Sequence, residues 1–149
     1  MATIPLPPDF KEFLKLLNNN KVNYLLIGGY AVGFHGYVRA TADMDIWIER
    51  SKNNSKRMVK TLREFGFGAE NVHAGLFLKK DQIIRMGVPP LRIEILTSIS
   101  GVTFNECYKT RIEETWDNLT VNIINLQKLK QNKQASKRLK DLNDLEYLE

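Results

Sequence analysis

The chain has 149 residues, 43% hydrophobic and 26% charged, the composition of one globular domain with its own core rather than of a disordered segment. A net charge of +5 favours polyanions, a class that includes nucleic acids and nucleoside triphosphates. No apolar run reaches the roughly 18 residues that cross a bilayer, and no basic-then-apolar signal opens the chain, so a cytoplasmic location without a membrane partner is expected. The one cysteine, Cys107, excludes an internal disulfide and a cysteine-based zinc site.

In chain order, "PPDFKEFLKLLNNNK" reads as a helix, with Asp9 as N-cap, Glu12 closing a capping box, and Phe10, Phe13, Leu14 and Leu17 on its buried face. "NYLLIGG" is a short apolar strand ending in a glycine pair, and Tyr30 to Phe34 form a short helix. "VRATADMDIWIE" is a second strand. Ser51 caps the next helix, which turns Met58, Val59, Leu62 and Phe65 inward and stops at Gly66 and Gly68.

"AGLFLKKDQIIRMG" is expected to be a β-hairpin turning at Lys79–Gln82, and Pro89 and Pro90 punctuate the chain. "LRIEILTSI" alternates Ile93 and Ile95 with Arg92, Glu94 and Leu96 and is a further strand. A short helix over "GVTFNECYKTR", a last strand "LTVNIINL" and one or two closing helices complete the prediction. The result is a single α/β (α+β) domain spanning 1–149, with a mixed sheet of about five strands flanked by helices.

Two like charges interrupt the second strand. Asp43 and Asp45 are two residues apart and share a face, where their carboxylates repel unless a proton or cation lies between them. Glu94 is an isolated acid in another apolar strand. Adjacent strands would bring all three together, a donor set suited to hard divalent ions, even to two ions about 3.5–4 Å apart. Gly28 and Gly29, between strand and helix, would let a phosphate approach the backbone. The competing reading makes the aspartates solvated edge-strand residues and Glu94 an ion-pair partner of Arg92. His35 and His73 read as packing or surface residues and Cys107 as a buried helical residue.

"GGYAVGFHGYVRATADMDIWIE" resembles the nucleotidyltransferase superfamily with the kanamycin-nucleotidyltransferase/DNA polymerase β fold, and within it the GG-type branch that includes abortive-infection toxins. "GVPPLRIEILTSISGVTF" and "LKQNKQASKRLKDLNDLEYL" resemble later segments of that branch. The resemblance implies a nucleotidyltransferase fold and a Mg²⁺ (or Mn²⁺) enzyme moving a nucleoside monophosphate from an NTP to a hydroxyl of RNA, protein or a small molecule.

By the same resemblance, Asp43 and Asp45 are the metal-binding pair, Glu94 the third acid and Gly28–Gly29 the phosphate loop. Arg39 and Thr41 belong to the nucleotide-binding pattern before the pair, and Lys133, among the basic residues Lys130, Lys133, Lys137 and Lys140, is the one that reaches the triphosphate. Two positions depart from the superfamily pattern. Gly29 stands where a serine hydroxyl commonly touches phosphate, and Glu94 is one methylene longer than the common aspartate. These departures favour the alternative of a catalytically degenerate nucleotide- or partner-binding module; a toxin–antitoxin component is a third reading.

Overall fold

The computed structural model describes residues 6–37, 43–67, 72–87 and 91–148. Arg39, Thr41, Gly68, Pro89 and Pro90 lie outside the described residues.

Helix α1 (Pro8–Asn19) buries Phe10, Phe13, Leu14 and Leu17, the face expected from their spacing. Its start differs from the prediction. Pro7 occupies the N-cap without a side-chain hydrogen bond, and Asp9 lies in the first turn. Pro8, with φ already near its helical value and no amide hydrogen to satisfy, sets the start two residues earlier. Asp9 still faces the positive end of the helix.

Strand β1 (Tyr24–Ile27) is buried along its whole length and passes directly into α2 (Gly28–Phe34). Strand β2 (Asp43–Ile48) turns Met44, Ile46 and Ile48 into the core. Ser51 caps α3 (Lys52–Glu64): its Oγ accepts from the Asn54 amide at 3.2 Å and donates to Glu49 Oε1 at 3.0 Å. Buried Asn54 donates to the carbonyls of Asn23 and Glu49 and accepts from the Asn23 amide, tying the start of β1 to the end of β2. Ser51→Ala is therefore expected to cost about 1 kcal/mol in urea unfolding with an unaltered circular dichroism spectrum.

The expected hairpin is half right. Ile83–Met86 forms strand β3, but Ala74–Leu78 is a 3₁₀ turn that buries Phe77 and packs beside α3. β3 pairs instead with β4 (Arg92–Leu96), in an antiparallel ladder from Ile83 opposite Leu96 to Met86 opposite Ile93.

Helix α4 (Phe104–Lys109) starts with a capping box of Thr103 and Glu106 and buries Cys107. Strands β5 (Ile112–Trp116) and β6 (Leu119–Ile123) form a hairpin, and helices α5 (Leu126–Ser136) and α6 (Leu139–Tyr147) close the chain. The sheet thus has six strands in the order β3-β4-β2-β1-β6-β5, with β2–β4 and β1–β6 parallel and the other pairs antiparallel. Lys137 adopts φ 57 and breaks the helix, so the four lysines do not share one helical face.

Candidate active site

Register assembles the acids. In the parallel β2–β4 pair, Asp45 lies opposite Glu94 and Asp43 opposite Arg92, while on the other side Asp45 lies opposite Ile27, the residue before Gly28. Asp43, Asp45 and Glu94 consequently line one cleft of about 560 Å³ together with Gly28 and Gly29. Arg85, Lys133, Ser136, Arg138 and Lys140 line the same cleft, the last four from the closing helices and the turn between them.

Gly28 is the tight point. Its φ is +68°, and a Cβ added there would collide with Asp45 Oδ2. Gly29 is buried inside α2, outside the left-handed region, so the backbone demand expected of the pair falls on Gly28. Gly28→Ala should be destabilised by about 2 kcal/mol or more, from the left-handed backbone and the displaced carboxylate. Adding Asp45→Ala relieves part of that loss. A double-mutant cycle should therefore return a coupling of about 1 kcal/mol or more; additive losses would show that the two positions do not touch.

The three carboxyls have different electrostatics. Burial, then the charges of Glu94 and Asp43, push the Asp45 carboxyl up to about 7, with Lys140 the strongest opposing cation. Asp45 has no hydrogen bond or ion pair among the described residues. The Arg92 hydrogen bond, 2.9 Å from Nη2 to Oδ2, holds the Asp43 carboxyl below its usual range. Burial raises Glu94, and hydrogen bonding with Asp43 adds to that.

This donor set fits a hard divalent cation. Its ligands are carboxylate oxygens, and Asp45 is a half-buried acid left short of positive charge. No group of three His, Cys, Asp or Glu side chains among the described residues is already arranged as a metal site, and arginines engage Asp43 and Glu94 instead.

Lys133 is placed differently from a free phosphate ligand. It lines the cleft, but its Nζ is 2.9 Å from Asp141 Oδ1 and 3.1 Å from Asp144 Oδ2, and its side chain is only 3% exposed. Burial alone would raise Asp141, yet hydrogen bonds from Arg138, Ser136 and Lys133 bring its carboxyl down to about 2. Lys140, exposed and without an ion pair among the described residues, is the cation in the cleft most available to an anion. Elsewhere His35 Nε2 bonds the Ile124 carbonyl at 2.8 Å, a packing role.

No family model and no curated protein matches the chain. Among solved structures it is similar to a candidate nucleotidyltransferase from Thermotoga maritima, at 15% identity and TM-score 0.54 over 92% of this chain and 86% of that one. It is also similar to an antigenic nucleotidyltransferase-like protein from Paracoccidioides brasiliensis, at 15% identity and TM-score 0.55 over 97% of this chain and 78% of that one. At this identity the likeness concerns the fold, and the fold of this chain is nucleotidyltransferase-like.

Proposed function

We propose that the protein is a metal-dependent nucleotidyltransferase that moves a nucleoside monophosphate from an NTP to an acceptor hydroxyl on RNA, protein or a small molecule, releasing pyrophosphate. The observation that carries this reading is Asp45, a carboxylate with no hydrogen bond or ion pair among the described residues, pressed against Gly28 in a cleft shared with Asp43 and Glu94. Asp43, Asp45 and Glu94 would hold Mg²⁺ or Mn²⁺, which when bound neutralises the triphosphate and polarises the reacting phosphoryl group. The acceptor oxygen would attack the α-phosphorus and the α–β phosphoanhydride bond would break, with Glu94 taking the hydroxyl proton. Gly28 and Gly29 let the triphosphate approach the backbone, and Lys140 and Arg85 supply positive charge along its path. Arg39 and Thr41 join the nucleotide contacts by resemblance.

Incubation with each α-labelled NTP, Mg²⁺ or Mn²⁺, and total cellular RNA and protein tests the reading. Label should pass to one acceptor class with equal release of pyrophosphate, and EDTA should stop both. Absence of binding of any NTP at millimolar concentration with Mg²⁺ would end the reading. A non-catalytic nucleotide-binding module is the second reading, supported by the engagement of Lys133 by Asp141 and Asp144 and of Asp43 by Arg92. Calorimetric NTP binding without pyrophosphate release would select it.

A further inference from the structure

The cleft carries its own counter-cations. Arg92 Nη2 lies 2.9 Å from Asp43 Oδ2 and 3.5 Å from Glu94 Oε1, and Arg85 Nε lies 3.5 Å from Glu94 Oε2. Strand register places them there: Arg92 opposes Asp43 across β2–β4, and Arg85 opposes Glu94 across β3–β4. Neither arginine is fixed by core packing, since their side chains are 29% and 54% exposed. The pose of Arg92 is also incomplete, because its Nε is buried without a hydrogen-bond partner among the described residues. A guanidinium in its best arrangement on a carboxylate uses two parallel donors, whereas Arg92 reaches Asp43 through one nitrogen, Nη2, at 2.9 Å.

Resting on the nucleotidyltransferase reading for the identity of the site, we propose that Arg92 is a tethered counter-cation that occupies Asp43 in the metal-free protein and is displaced by the divalent ion. A doubly charged ion shared by several carboxylates outcompetes one singly charged, partly exposed guanidinium. Arg92 therefore lowers the metal affinity of the cleft while restraining repulsion among the acids when the metal is absent. Asp45, which forms no ion pair with an arginine among the described residues, lies outside this competition. Metal loading and release of Arg92 are then one event.

Mn²⁺ titration followed by electron paramagnetic resonance, without nucleotide and at low salt, tests the exchange. Arg92→Gln should bind Mn²⁺ about fivefold to tenfold more tightly than wild type, the effect of removing a partly exposed competing charge. Arg92→Lys, a cation without the planar fork, should fall between the two, and it carries the test if Arg92→Gln does not fold. In parallel melts, metal-free Arg92→Gln should unfold at a lower temperature than wild type and gain more on adding Mn²⁺. Equal or weaker Mn²⁺ binding by the variants overturns the proposal and leaves Arg92 a fixed structural partner. If NTP transfer persists in that case, the nucleotidyltransferase reading stands without it. Failure of wild type and variants to bind both Mn²⁺ and NTP would remove the two together.

Discussion

Asp45→Asn is expected to abolish metal-dependent nucleotide transfer, by about a thousandfold or more, while making the metal-free protein more stable at neutral and alkaline pH. The activity loss would follow from removing one of the carboxylates proposed to hold the metal. The stability gain follows from linkage. The Asp45 carboxyl is raised in the folded protein to about 7, chiefly by burial and then by Glu94 and Asp43. A carboxyl raised on folding binds more protons folded than unfolded, so its cost is absent below about pH 4, grows between about pH 4 and 7, and is constant above. Full ionisation against this shift costs up to about 4 kcal/mol. Wild type and Asp45→Asn should therefore melt together near pH 4 and diverge progressively toward pH 8, with the variant higher. Mg²⁺ should raise the wild-type melting temperature at pH 8 more than that of the variant. A variant that melts lower at pH 8 would show that Asp45 is held by a structural partner.

That site was legible in the sequence because period two is rigid. Residues 43 and 45 must share a strand face, and the alternation of "RIEIL" fixes Glu94 on the face opposite Ile93 and Ile95. Nothing in the spacing, however, distinguishes an acid with no ion pair among the described residues from one already paired with an arginine, and the structure contains both in Asp45 and Asp43. The importance of Gly28 over Gly29 was equally hidden. It depends on a backbone angle and on the nearness of Asp45, neither of which a Gly-Gly pair encodes.

Strand β5 escaped notice because Glu113 and Glu114 interrupt its apolar pattern, yet a signal was present. Asp117 and Asn118 both take positive φ, 55° and 64°, between paired Trp116 and Leu119, the geometry of a two-residue type I′ hairpin. An Asp-Asn pair between "IEETW" and "LTVNI" could have marked it. The 3₁₀ turn at Ala74–Leu78 had no comparable marker, since a short apolar run fits strand or helix until its neighbours are known.

The closing helices show the same limit with a larger consequence. The resemblance presents Lys133 as the lysine that reaches the triphosphate, whereas the fold makes it the partner of two carboxylates whose side chains are each only 1% exposed. Lys133→Met should cost about 3–5 kcal/mol, because it leaves Asp141 and Asp144 buried without their shared cation. Ser136 and the largely exposed Arg138 remain as partners of Asp141. The deficit should be greatest near pH 7–8 and shrink at low pH, where Asp141, deprived of the lysine that helps hold its carboxyl down, takes up a proton. The combination Lys133→Met, Asp141→Asn, Asp144→Asn should recover much of the lost stability, since no uncompensated charge is left inside. Lys140 lies one residue before Asp141 on α6, so loosening this anchor should also weaken NTP binding through displacement of a cation that lines the cleft. Urea unfolding and nucleotide titration of the same samples separate the two roles. If Lys133 acted by touching phosphate alone, Lys133→Met would lose NTP affinity at unchanged stability, and the neutralised triple variant would be no more stable than the single one.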